Sequence, residues 1–148
     1  MPNDKFMRAA LEEARIAALN GDTPIGAVIT RENNIIARAH NQRMALLSAI
    51  AHAEITAIKS ACETVGDWRL DDCDIYITIE PCPMCAGAII QARILRVFFG
   101  AKNPKAGCAG SVIDLFAQNF NHKPIITGGI LEEECADLIK KFFKELRA

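Results

Sequence analysis

The sequence predicts an α/β protein: a three-layer α/β/α sandwich around a mixed five-stranded sheet. Three observations lead there. Two apolar runs flank a short Asn-rich turn, which reads as a hairpin. Further β-rich runs then alternate with segments of helical period. Helical patterns also open and close the chain, giving the order α-β-β-α-β-α-β-α-β-α. A hairpin needs antiparallel neighbours and strand–helix–strand units need parallel ones, so the sheet is mixed and its helices cover both faces.

The first helix is expected from about Asp4 to Asn20, capped by Asn3 or Asp4, with Phe6, Ala10, Leu11, Ala14, Ala17 and Ala18 as its apolar stripe. Asn20-Gly21 stops it. Ile25–Thr30 and Ile35–Ala39 are the hairpin strands around Glu32-Asn33-Asn34. Residues 51–65 follow a helical period through Ile55, Ile58, Cys62 and Val65, and Gly66 ends them. Asp74–Ile79 is rich in β-branched and aromatic residues and is a strand. A helix over Pro81 to Gln91, a strand over Arg96–Gly100, a short helix over Ser111–Gln118 and a strand over Pro124–Thr127 follow. The last helix spans Leu131–Arg147, burying Cys135, Leu138, Ile139, Phe142 and Leu146.

The bulk properties fit one domain over residues 1–148, since 51% hydrophobic and 24% charged residues are a globular balance. The apolar runs are too short to span a bilayer, and no signal-peptide core follows Met1, so a cytoplasmic protein without membrane association is expected. Six cysteines without a secretion signal do not suggest disulfides; Cys62, Cys73, Cys108 and Cys135 read as small hydrophobes. The net charge of −1 does not advertise nucleic acid, but its distribution is uneven. Residues 1–92 carry 8 Lys/Arg against 12 Asp/Glu, and residues 93–148 carry 9 against 6. That leaves room for a local basic surface near the C-terminus.

Two short motifs carry the chemistry: His52-Ala53-Glu54 and Pro81-Cys82-Pro83-Met84-Cys85. Either alone is weak. Together they supply one His and two Cys, the three protein ligands of an open catalytic zinc site. Cysteines three apart on the first turn of a helix face the same way, and the helix N-terminus favours thiolate. His52 also sits at a helix entry, and in an open α/β sheet strand ends and helix starts gather on one edge. Zinc lowers the pKa of bound water, and a carboxylate such as Glu54 can take its proton, provided it is not itself a ligand. Such a pair reaches one site only if His52 lies at the non-ideal helix start. A closed structural zinc site or a redox C-x-x-C are the competing readings of the same residues.

These residues identify the sequence as resembling the cytidine deaminase superfamily, whose zinc signature is H-x-E…P-C-x-x-C. Within it, the resemblance to the bacterial tRNA-specific adenosine deaminases covers nearly the whole chain. It rests on Pro24–Val28, His40–Arg43, Ala51–Ile55, Glu80–Ala88, Phe99–Ala101, Gly107–Ser111, Asn121-His122, Gly129–Cys135 and Phe142-Phe143. It implies a cytidine deaminase-like fold, one Zn2+ per subunit, a homodimer, and hydrolytic conversion of a wobble adenosine to inosine in a tRNA anticodon stem-loop, of an arginine tRNA in particular. Glu54 would move the protons; Asn41 and the Ala53 backbone N–H would hold the base. Asn103, Lys105, His122 and Phe143 would be substrate contacts, with Lys102 a further phosphate candidate. Two positions depart from the family: Ser48-Ala49-Ile50 stand where Asp-Pro-Thr or Asp-Pro-Ser is usual, and Asn103 where Asp is frequent. Asn103 is therefore expected to relax the distinction between RNA and DNA. Deamination of a free base or nucleotide, such as guanine or cytosine, is the alternative within enzymes. A nucleic-acid-binding protein with structural zinc is the alternative outside them.

Trp68 is expected as a partly buried loop anchor rather than a stacking platform, and Ser111 as the cap of its short helix.

Overall fold

The hairpin turn sets the sheet going. Glu32 and Asn33 take φ of 52° and 61°, the left-handed pair that a two-residue type I′ turn requires. They join β1 (Gly26–Arg31) to β2 (Asn34–His40) in antiparallel register, Arg31 opposite Asn34 and Gly26 opposite His40. In this computed structural model, which describes residues 2–147, β3 (Cys73–Ile79) adds antiparallel to β1. Then β4 (Arg96–Ala101) pairs parallel to β3, and β5 (Ile125–Thr127) parallel to β4. The order is β2-β1-β3-β4-β5, a mixed five-stranded sheet as expected. Met1 and Ala148, both inside the expected domain, lie outside the described residues.

Strand alternation divides the core in two. Ala27, Ile29, Ile75, Ile77, Val97 and Phe99 face one side, where α3 (Ala53–Val65) and α4 (Pro83–Gln91) pack. Val28, Tyr76 and Phe98 face the other, beneath α1 (Asp4–Leu19) and α5 (Glu132–Arg147). There Tyr76 stacks on Phe98 with ring centroids 4.7 Å apart, and Phe6 of α1 tilts against Tyr76 at 5.4 Å. Asn3 caps α1 by accepting the Lys5 N–H at 3.0 Å. Gly26 is required by this packing, because a Cβ there would run into the backbone of Ala10 and Ala14.

Four details differ from the sequence expectation. Ser111–Gln118 is not a helix; only Leu115–Ala117 makes a 3-10 turn, because the N–H groups before it are drawn to other partners. A four-residue helix α2 (Arg43–Leu46) interrupts the segment after β2, where the buried Asp22 carboxylate accepts the Met44 N–H at 2.9 Å. The stripe of α5 buries only Cys135 fully; Leu138, Ile139 and Phe142 are half-buried and Leu146 is exposed. Trp68 is 57% exposed, with the guanidinium groups of Arg69 and Arg93 over its ring. The four scattered cysteines are free thiols, three of them buried. No helix among the described residues is long and apolar enough to cross a membrane.

Candidate active site

β2, β3 and β4 run in the same direction, so their carboxyl ends share one edge. His52 is the N-cap of α3, with extended backbone at φ −77° and ψ 150°. Cys82 is the N-cap of α4, and Pro83 occupies the first turn, where a missing N–H costs nothing. Cys85 follows one turn later, fully buried. Two helix starts therefore meet over the same strand ends, and residues thirty apart in sequence become neighbours. His52 does lie at the non-ideal helix start that lets Glu54 share its site.

His52 Nδ1 stands 3.6 Å from Cys82 Sγ and 3.5 Å from Cys85 Sγ. All three donor atoms lie within 4.8 Å of one another. Tetrahedral ligands at metal–sulfur and metal–nitrogen distances of about 2.3 and about 2.05 Å stand about 3.6 Å apart, so the spacing fits a zinc-sized ion. Among the described residues no fourth His, Cys, Asp or Glu joins the group, which leaves a coordination position open rather than closing the site. Glu54 is outside the donor set. It is 2% exposed, and its Oε1 has no hydrogen-bond partner. A buried polar atom without a partner is costly, and here it identifies a place where a water or substrate group would be held.

The titrations follow from these contacts. Cys82 is drawn down to about 4, first by its hydrogen bond with Cys85 and, against the opposing effect of burial, by His52. Cys85 is pushed up, by Cys82 and then by burial. Two adjacent sulfurs cannot both ionise without a cation, and a divalent ion is what would let them. Burial raises the Glu54 carboxyl above its ordinary value, the condition of a group that holds a proton and passes it on.

Asn41, 3% exposed, follows β2 on the same edge, and its Oδ1 accepts the Ala53 N–H at 2.8 Å. The expectation for Ala53 is revised accordingly. Its N–H is already engaged, so it orients Asn41, whose amide nitrogen remains for a ligand. Asn103 is half-buried at the end of β4; its Oδ1 accepts the Ala106 N–H at 3.2 Å and shapes a turn. Lys105 is exposed on that turn. His122 is not brought to the site. Its Nε2 lies 2.7 Å from the Ile94 carbonyl, ahead of β4 and so at the opposite edge of the sheet. Phe143, 39% exposed, sits on α5, across the sheet from α3 and α4.

Sequence reasoning missed Glu80. It is 1% exposed, and its carboxylate accepts N–H groups from Asn103, Ala109 and Ser111 and the Ser111 hydroxyl. Ser111 thus serves Glu80 rather than a helix cap. A signal existed: an acid placed directly after a buried strand needs partners, because carboxylates are seldom buried without them.

Three donors with an open position and a buried carboxylate at hand suit hydrolysis of an amidine carbon–nitrogen bond, and on this sheet they define a cytidine deaminase-like hydrolase. The model of the MafB19-like deaminases matches residues 1–147. A tRNA-specific adenosine deaminase of Bacillus subtilis (strain 168) is 46% identical over 146 residues, covering 98% of this chain and 91% of the relative. One from Agrobacterium fabrum (strain C58 / ATCC 33970) is 44% identical over 143 residues, covering 96% and 94%. A solved structure from studies of A-to-I editing by tRNA:A34 deaminases at the wobble position of transfer RNA matches with a TM-score of 0.89 and 43% identity, covering 92% of this chain and 99% of the other. A guanine deaminase from Bacillus subtilis matches at 0.67 and 37%, covering 86% and 84%. The chain belongs to the tRNA-specific adenosine deaminase family.

Proposed function

We propose that this single domain of residues 1–148 is a zinc-dependent enzyme that deaminates the wobble adenosine of a tRNA anticodon stem-loop to inosine, with an arginine tRNA as substrate. The observation that carries the chemistry is the partnerless Glu54 Oε1 buried beside the three-donor group. The substrate is supported by the 46% and 44% identities to tRNA-specific adenosine deaminases across nearly the whole chain.

His52, Cys82 and Cys85 would hold one zinc per chain. When bound, zinc supplies the Lewis acidity that makes water a nucleophile at neutral pH. Water adds at C6 of the adenine, and its proton passes to Glu54. Glu54 passes that proton to the ring nitrogen N1, then takes the second proton from the new C6 hydroxyl and delivers it to the amine as the C6–N bond breaks, so that water and adenosine become inosine and ammonia. The free Asn41 amide nitrogen donates to the base, and the Ala53 N–H keeps that side chain in place. Lys105, Asn103 and the neighbouring Lys102 offer contacts to the RNA near the same sheet edge. His122 and Phe143 lie away from this site within one chain, so RNA contacts by them call for a second subunit. A homodimer is further supported by the exposed apolar side chains of Met44, Leu46, Leu47 and Ile50 on and after α2, Leu47 being 91% exposed. We place the enzyme in the cytoplasm with its tRNA.

The likeness to a guanine deaminase favours a second reading, deamination of a free base. One assay separates the two. The metal-replete protein is incubated with an arginine tRNA anticodon stem-loop and, separately, with adenosine, guanine and cytidine. Inosine formed only in the stem-loop supports the first reading; product from guanine alone replaces it with the second.

A further inference from the structure

We propose that Glu80 is a positioning residue for the substrate: its buried carboxylate locks the loop over residues 102–111 in register with the Pro81-Cys82 turn. This rests on the reading of Asn103 and Lys105 as RNA-facing.

The geometry is that of a hub. Glu80 immediately follows β3 and immediately precedes Pro81 and Cys82. Its own N–H donates to the Ala101 carbonyl at 2.8 Å, tying it to the end of β4. Oε1 accepts the Asn103 N–H at 3.1 Å and the Ser111 hydroxyl. Oε2 accepts the Ala109 N–H at 2.8 Å and the Ser111 N–H at 3.1 Å. One carboxylate therefore gathers donors from both ends of the loop. A fifth tie runs beside it, from the Cys108 N–H to the Pro81 carbonyl at 2.9 Å. Gly107 belongs to the same arrangement, because a Cβ there would run into the Glu80 carboxyl and the Asn103 carbonyl.

Only a carboxylate answers this set of donors. It is acceptor-only at both oxygens, whereas a glutamine would turn an NH2 toward at least one backbone N–H. The loop has other ties: the Asn103 carbonyl accepts the Gly107 N–H at 2.8 Å, and Cys108 is buried in the core. Among the side-chain bonds, those of Glu80 join the Asn103 end of the loop to the Ser111 end, while Lys105 between them is exposed. Without the hub, the turn carrying Asn103 and Lys105 would lose its tie to the residue before Pro81-Cys82, and each binding event would carry part of the cost of ordering it. The metal donors would keep their own anchors, since Cys85 sits on α4 and Cys82 caps it, while His52 caps α3.

The test compares wild type with Glu80→Gln and Ser111→Ala on the anticodon stem-loop. Three quantities are read: kcat and KM, zinc content, and amide hydrogen exchange over residues 102–111. Glu80→Gln is expected to raise KM about tenfold, as for the loss of a buried charge-assisted hydrogen bond, with kcat within about threefold and zinc retained. Exchange should quicken at Asn103, Ala109 and Ser111. Ser111→Ala, which leaves the carboxylate in place, should move the same quantities in the same direction by less. A fall in kcat at constant KM, loss of zinc, or exchange unchanged in both variants would each overturn the proposal. A wild-type protein that leaves the stem-loop untouched would instead overturn the reading of the substrate, and the role of the loop with it.

Discussion

Asn41 Oδ1 accepts the backbone N–H of Ala53 at 2.8 Å, joining the residue after β2 to the first residue of α3. The bond is buried on both sides, Ala53 being fully buried and Asn41 nearly so. It fixes the helix start that carries His52 and Glu54, and it uses the Asn41 oxygen while leaving the amide nitrogen to donate elsewhere.

Asn41→Ala should therefore be costly twice. The Ala53 N–H would be left buried and unpaired, which destabilises by about 1–3 kcal/mol. KM for the stem-loop should also rise. Urea unfolding of the metal-replete protein reads the first effect and steady-state kinetics the second; an unchanged unfolding midpoint would contradict the anchoring role.

Cys82→Ala and His52→Ala should each abolish the metal. Wild type is expected to retain about one zinc per chain after dialysis, and each variant close to none, measured by elemental analysis with protein quantified in parallel. A variant that keeps its zinc would mean that the ion sits elsewhere.

Glu54→Gln should separate binding from chemistry. The side chain lies outside the donor set, so zinc content should be unchanged. Loss of the proton carrier should lower kcat by about 10²–10⁴-fold. If zinc leaves with the carboxylate, Glu54 is a ligand and its assigned role fails.

Alkaline pH should loosen the fold through two buried thiols. Burial pushes Cys73 and Cys135 up to about 12 from an ordinary value of 9.0. A raised folded value means that the native state keeps protons the unfolded chain has released. Stability is then whole below about pH 9 and declines as pH rises toward about 12. Unfolding midpoints measured across that range should fall, and Cys135→Ala should fall less steeply than wild type; parallel slopes would remove Cys135 as a cause.

The legible parts of this protein were those written locally. The hairpin showed in two apolar runs and an Asn-rich turn, and the metal donors in two motifs whose helix-start positions followed from strand–helix order. What escaped was set by distant partners. Helix α2 depends on Asp22, twenty-two residues before Met44. Residues 109–111 spend their N–H groups on Glu80 and on loop contacts, so the expected helix at Ser111 never begins. The engagement of the Ala53 N–H could not be read from His52-Ala53-Glu54 either, since Asn41 lies twelve residues away.

The sheet separates two kinds of work. His52, Glu54, Cys82 and Cys85 all come from α3 and α4 with their caps, whereas the Phe6–Tyr76–Phe98 stack lies on the opposite face under α1 and α5. An engineer seeking a hardier enzyme can redesign that aromatic layer as a chassis, with five strands standing between each trial substitution and the reacting atoms.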